Sequence, residues 1–238
     1  MNARHKITLV AIGVVIHLLL MALINLNPTS ARSEEPSNRF GMDAYFTHFN
    51  WQKENNTEIA VSLPQQNFSY QTIGTLEFAK RGVEGELIPR LARIAGLSVV
   101  EAKDSKEPIK IFIIKDVDII NIVKSDPDKL RRIGIPNAIV SSLQSVSPGT
   151  PCKGASQGNN DDHNIVVTVI LSADKSEKCL ANIIYNAFGI INPSEVPSAD
   201  LSLCILYEAR WRGKRTREEI ASVFDDVKKT CETRIPEA

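Results

Sequence analysis

The amino-acid sequence begins with a short basic end followed by an apolar run. Residues 7–26 are mostly apolar, and Arg4 and Lys6 precede them without any acidic residue. This pattern is typical of a secretory signal peptide. Because these twenty residues would span about 30 Å as a helix, an uncleaved membrane anchor is the alternative. His17 disfavours the anchor, since a polar ring is costly at bilayer depth. We therefore assign residues 1–31 to a signal peptide or signal anchor, with membrane contact through residues 7–26 if it stays uncleaved.

A polar stretch separates this leader from the rest of the chain. Residues 32–39 contain no large apolar side chain, which predicts a flexible tether. The remaining residues, 40–235, are numerous and apolar enough for a single extracytoplasmic domain. The expected location is periplasmic or secreted, and an uncleaved N-terminus would anchor the protein in the inner membrane.

Helical spacing and capping residues predict several helices. Glu86–Ala95 has Pro89 in its first turn and Gly96 beyond its end. A longer helix carries Cys179 and ends at Gly189, with Asp174 or Ser176 as its N-cap. Three shorter helices are predicted at 117–123 and after Pro127 and Pro136. Thr216 and Glu219 form a capping box that opens a final helix, with Ile220, Val223, Phe224, Val227 and Cys231 on its apolar side.

Apolar runs predict the strands. Ile109–Ile114 and Ile165–Leu171 have the composition of buried strands. Ser147–His163 is rich in glycine and polar residues, which predicts a long loop. Leu203–Tyr207 is a further short apolar segment. Helices and strands are mixed without regular βαβ spacing, so we predict an α+β domain with a small mixed sheet flanked by helices.

Four cysteines follow the leader at separations of 27, 25 and 27 positions. An even number outside the cytoplasm predicts two disulfides, with three possible pairings. We favour Cys152 with Cys179 and Cys204 with Cys231, because each pair joins a loop or strand to a neighbouring helix. No Cys-x-x-Cys motif occurs, so we predict neither a redox centre nor a metal site, and no cofactor.

The segment from Asn182 to Gly189 has the frame of the zinc-peptidase motif His-Glu-x-x-His-x-x-Gly. Asn182 and Asn186 stand where the motif has its zinc-binding histidines. Ile183 stands where the motif has the glutamate that accepts a proton. Hydrolysis by this route is therefore not expected. An amphipathic core helix is one interpretation, and a degenerate zincin-like scaffold is the other. The second interpretation places a candidate pocket at Asn182, Tyr185, Asn186 and Glu208.

The stretch from Cys179 to Gly213 resembles a proteobacterial family of exported proteins of unknown function, some described as putative lipoproteins. The resemblance rests on Cys179, on Ala187-Phe188-Gly189-Ile190, on Leu206-Tyr207-Glu208-Ala209-Arg210 and on Gly213. It implies an exported protein in which a strand leads into the motif at 206–210. The family typically has Glu-Glu-x-x-Gln where this chain has Asn182-Ile183-x-x-Asn186, and Lys214 replaces a methionine. The resemblance implies no activity and no site residues.

A local basic cluster surrounds one tryptophan. Arg210, Trp211, Arg212 and Lys214 could engage an anionic surface such as lipid or glycan, and a solvated helix entrance is the alternative. The whole chain has 28 basic and 28 acidic residues, so no specific nucleic-acid binding is predicted.

These observations lead to two hypotheses about function. The first is an exported, disulfide-stapled protein that acts without catalysis, as a binding or envelope-associated accessory domain for a protein or envelope component. The second is a hydrolase with an unrecognised active site, for which Ser156, His163, Asp200 and Glu208 are the candidates. Ser156 lies in a Gly-x-Ser-x-Gly pattern, but the predicted loop around it lacks the strand and helix of a nucleophile elbow.

Intact mass tests the leader and the crosslinks together. Purified from an exporting host, the protein is expected to begin after Ala31 or Ser33 and to gain about 4 Da on reduction, because two disulfides take up four hydrogens. Mass spectrometry with and without reductant measures both. A full-length chain with four free thiols would contradict export.

Overall fold

The computed structural model describes residues 41–63, 67–74, 83–102, 109–116, 119–147, 150–159, 164–172, 177–193 and 199–235. The predicted leader (1–31), the tether (32–39), the helix caps Asp174 and Ser176, and His163 lie outside these residues. From Met42 onward the described residues belong to one compact unit. Among them, no helix has the length and apolarity needed to cross a bilayer.

The described residues form helices and strands in mixed order. In chain order they are α1 (Met42–Phe46), β1 (Trp51–Glu54), β2 (Thr57–Ala60), β3 (Phe68–Gly74), α2 (Val83–Ile94), β4 (Val99–Glu101), β5 (Ile109–Lys115), α3 (Ile119–Ser125), α4 (Asp128–Arg132), α5 (Asn137–Gln144), β6 (Cys152–Asn159), β7 (Asn164–Ser172), α6 (Glu177–Ala187), α7 (Ala199–Trp211), α8 (Arg217–Ala221) and α9 (Phe224–Arg234). The predicted α+β class is confirmed.

The main sheet has five strands in the order β4-β3-β5-β7-β6, and β1 and β2 form a separate antiparallel pair. Strands β4, β3, β5 and β7 run parallel, whereas β6 runs antiparallel to β7 at the edge. The predicted mixed sheet is therefore confirmed. The apolar runs at Ile109–Ile114 and Ile165–Leu171 lie within β5 and β7, as predicted.

The central strand β5 is covered on both faces. In β5, Ile111 and Ile113 belong to the apolar cluster formed with α2, α6, α7 and α9. Phe112 and Ile114 belong to a second cluster, formed with α3, α4 and α5 on the opposite face. Because successive side chains of a strand point to opposite faces, helices on both sides are needed to cover such a continuous apolar run.

The prediction of a long loop over Ser147–His163 is wrong where the structure describes this segment, because strand β6 occupies Cys152–Asn159. Its register with β7 runs from Cys152 opposite Ser172 to Asn159 opposite Asn164. An edge strand pairs on one side only, so it can form without the apolar run that marks a central strand.

The apolar segment Leu203–Tyr207 is part of helix α7, not of the strand that the family resemblance implies. Every residue from Ser202 to Tyr207 is buried. A helix surrounded by protein has no polar face, so it loses the 3.6-residue periodicity by which helices are identified. The hydroxyl of Tyr207 accepts a hydrogen bond from the Leu63 amide at 3.0 Å, which satisfies its polar end within the core.

The predicted final helix is two helices. The capping box at Thr216 and Glu219 is confirmed, with the Thr216 side chain accepting from the Glu219 amide. The helix that it opens, α8, ends at Ala221, and α9 begins at Phe224. Ile220, Phe224, Val227 and Cys231 are nevertheless buried, as predicted, whereas Val223 is half-buried at the break.

The predicted disulfide pairing is confirmed. Cys152 bonds to Cys179, with Cα atoms 6.2 Å apart, and joins β6 to α6. Cys204 bonds to Cys231, with Cα atoms 5.8 Å apart, and joins α7 to α9. Two disulfides are compatible with an exported protein, because such bonds persist in oxidising compartments.

Gly189, which follows α6 as predicted, should tolerate no side chain. Its φ is +92°, and a Cβ atom there would overlap the carbonyl oxygen of Val61. Gly213 has a φ of +74° with nothing within 4 Å of a Cβ. We expect Gly189→Ala to lower the free energy of unfolding by about 3 kcal/mol or more, and Gly213→Ala by about 1–2 kcal/mol. Guanidinium unfolding of residues 32–238 measures both, and equal losses would show that Val61 imposes no constraint.

Candidate functional site

The helix with the zinc-peptidase frame, α6, packs beside the edge strand β6 and leaves a cavity of about 290 Å³. We call this cavity the edge cleft. Its lining includes Asn50, Gly154, Ser156, Thr168, Ile183 and Asn186. The asparagine amides and the two hydroxyls can donate and accept hydrogen bonds, so the cleft offers a polar wall to a bound molecule.

The close approach of β6 to α6 requires a glycine. A Cβ atom at Gly154 would lie 2.5 Å from Cγ2 of Ile183. The disulfide between Cys152 and Cys179 joins the same two elements. Ile183 holds the position of the catalytic glutamate in the peptidase frame, and here its side chain packs against the strand. The first glycine of the Gly-x-Ser-x-Gly pattern therefore has a packing role.

Ser156 lies within β6, opposite Thr168 of β7. The Ser156 Oγ and the Thr168 Oγ1 are 2.8 Å apart and share a hydrogen bond. A nucleophile elbow places its serine at a sharp turn between a strand and a helix. Ser156 does not occupy such a turn, and the hydroxyl of Thr168, which is not a general base, is its described partner.

Tyr185 bonds to Arg90 and Asp200, whereas Asn186 lines the edge cleft. Its hydroxyl donates to Asp200 Oδ1 at 2.7 Å and accepts from Arg90 Nη2 at 3.1 Å. Arg90 also forms an ion pair with Asp200. Burial is the main cause that raises the pKa of Tyr185 to about 12, and the hydrogen bond to Asp200 and the charge of that carboxylate add to it. The three side chains join α2, α6 and the start of α7.

The four residues of the predicted pocket have different surroundings in the structure. Asn186 lies in the edge cleft, whereas Asn182 is half-buried one turn earlier on α6 and is not part of the lining. Glu208 accepts a hydrogen bond from Arg234 Nη1 at 2.6 Å, between α7 and α9. Among the hydrolase candidates that the structure describes, Ser156, Asp200 and Glu208 each have different hydrogen-bond partners.

The predicted basic patch is partly buried and partly neutralised. Arg210 is only 7% exposed. Trp211 is 37% exposed, and its Nε1 donates to the Ala95 carbonyl at 3.0 Å. Arg212 forms an ion pair with Asp226. Lys214 is half-buried. The predicted contact with an anionic surface would therefore draw on less free charge than four adjacent residues suggest.

A second and larger cavity, of about 450 Å³, was missed by sequence reasoning. It lies at the carboxyl ends of the adjacent parallel strands β3 and β5, and its lining includes Gly74, Lys115 and Asp116. We call it the switch cleft. Lys115 and Glu84, which are 7% and 3% exposed, form an ion pair of 2.7 Å beside it. Most of its lining residues lie between Ile114 and Ile133, and only the pairing of β5 with β3 adds Ile73 and Gly74 to them.

The asparagine and isoleucine of the peptidase frame leave no metal-binding chemistry on α6. Within the ranges that the structure describes, no group of three or more His, Cys, Asp or Glu side chains is placed to hold a metal ion.

The pKa of Tyr185 should respond to its acidic partner. We expect Asp200→Asn to lower it from about 12 while leaving it above the ordinary value of 10.0, because burial persists after the charge is removed. Asp128→Asn, on the remote helix α4, should leave it unchanged. NMR titration of carbon-labelled tyrosine, assigned with Tyr185→Phe, measures the shift. A Tyr185 pKa that Asp200→Asn leaves at about 12 would contradict this coupling.

No protein-family model matches the sequence, and neither a curated protein nor a solved structure matches it. The resemblance to the exported family therefore stays a prediction.

Proposed function

We propose that this chain is an exported, non-catalytic binding domain that holds an extended peptide segment of a partner protein along its edge strand. The observation that carries the proposal is the position of β6, which is an edge of the five-stranded sheet and borders the edge cleft. An edge strand presents backbone donors and acceptors that another strand can pair with.

The edge cleft suits one side chain of such a peptide. Its volume of about 290 Å³ is at the lower limit for a small-molecule site. Asn186 from α6 and the hydroxyls of Ser156 and Thr168 would bind polar atoms of the peptide. The lining contains no acidic side chain, so the cleft does not repel a neutral or acidic peptide.

The lack of catalysis is supported by the residues of α6. An amide side chain at Asn182 or Asn186 is a poor zinc ligand, and Ile183 can neither accept nor donate a proton. We infer a degenerate zincin-like scaffold, in which the helix after β7 keeps the frame of a peptidase motif without its chemistry. The alternative, a hydrolase at another site, has less support because the described candidates Ser156, Asp200 and Glu208 have no partner in common.

Export is supported by the two disulfides, which suit a periplasmic or secreted location. The N-terminal apolar run supports the same location. The partner would then be a protein or another component of the cell envelope.

Peptide selection followed by substitution tests the proposal. Residues 32–238 would be used to select binders from a displayed library of random peptides, and one binder would be synthesised. We expect Asn186→Leu to weaken its affinity about tenfold, because a hydrogen-bonding group is lost and the cleft is filled. Asn182→Leu is the matched control, since it makes the same change one turn away, outside the lining. Isothermal calorimetry measures both.

Two further outcomes bear on this proposal. A peptide methylated on alternate backbone nitrogens should lose binding, because strand pairing needs those N–H groups. A library without binders, or a binder that tolerates both Asn186→Leu and methylation, would overturn the peptide site. Zinc in the purified protein, or peptide cleavage that a chelator abolishes, would overturn the absence of catalysis.

A further inference from the structure

The switch cleft lies where the direction of the chain connections reverses. Strand β3 continues into α2, which packs with the first apolar cluster, and β5 continues into α3, which packs with the second cluster on the other face. The first connection leads to β4 on one side of β3, whereas β5 lies on the other side. The chain therefore diverges at the carboxyl ends of β3 and β5, and in open sheets this divergence leaves a crevice in which ligands bind.

The wall of this cavity is mainly aliphatic. Ile73 and Ile114 come from the two strands. Helix α3 contributes Ile119 and Ile122, and α4 contributes Leu130, which Ile133 follows just beyond the end of that helix. Ile133 is 40% exposed, so part of its apolar side chain is in contact with water. An apolar ligand surface would gain stability by removing these side chains from water.

Three cationic side chains lie in the same lining, which holds one carboxylate, Asp116. Lys115 pairs with Glu84 of α2, on the face of the sheet that lies away from α3 and α4. Lys129 makes no ion pair with the described residues. Arg132 pairs with Asp126 at 3.4 Å, and both side chains are well exposed, so water competes with this contact.

We infer that the switch cleft binds a small organic anion, in which one acidic group is attached to an apolar body. Lys129 and Arg132 are one turn apart on α4, so they can approach the same acidic group. The apolar body would lie against the isoleucines. A volume of about 450 Å³ is within the range of small-molecule sites. This site is separate from the edge cleft and does not depend on peptide binding there.

A pair of fluorescent probes tests the charge and the apolar wall separately. Anilinonaphthalene sulfonate is an aromatic anion, and phenylnaphthylamine has the same rings without the sulfonate. We expect residues 32–238 to bind one molecule of the anion, more tightly than its uncharged counterpart. The double variant Lys129→Gln/Arg132→Gln should weaken binding of the anion about tenfold and leave the uncharged probe unchanged, because only the anion interacts with the two charges.

The double variant Lys124→Gln/Arg131→Gln is the matched control. It removes the same charge from the neighbouring surface, and neither residue lines the cleft. It should leave the affinity for both probes unchanged. The proposal would be overturned if the anion bound no more tightly than the uncharged probe, if the two double variants weakened it equally, or if Lys129→Gln/Arg132→Gln had no effect.

Discussion

Parallel strands persist only where both faces of their sheet are covered, and this requirement organises the rest of the molecule. Helices α2, α6 and α7 cover one face of β3, β5 and β7, and α3 to α5 cover the other. The two cavities lie at the borders of this arrangement. The switch cleft opens where the covering helices separate at the carboxyl ends, and the edge cleft lies beside the antiparallel strand that ends the sheet.

The sequence predicted the parts of the fold whose burial leaves a simple pattern. Ile109–Ile114 and Ile165–Leu171 are apolar at successive positions because both of their faces are buried. Strand β6 escaped prediction because its glycines and polar residues are tolerated at an edge. Helix α7 escaped for the opposite reason, since burial on all sides removes the polar face that defines a helical period.

Less of the candidate site was predictable. The spacing of Asn182 and Asn186 correctly placed both residues on one helix, but the sequence could not show which of them faces a cavity. Tyr185 adjoins Asn186 in sequence, yet a step of one residue turns a helical side chain by about 100°, towards Arg90 and Asp200. Ile73 and Ile114 line one cavity only because β3 and β5 are neighbours in the sheet, which local patterns do not encode.

The crosslink between Cys152 and Cys179 ties both walls of the edge cleft together. A newly made chain with reduced thiols would lack this clamp, so β6 and α6 would be held only by contacts such as that of Gly154 with Ile183. Maturation of the cleft would thus be timed by oxidation. If the protein is exported and binds a peptide as proposed, its edge cleft would gain this crosslink only in the oxidising compartment.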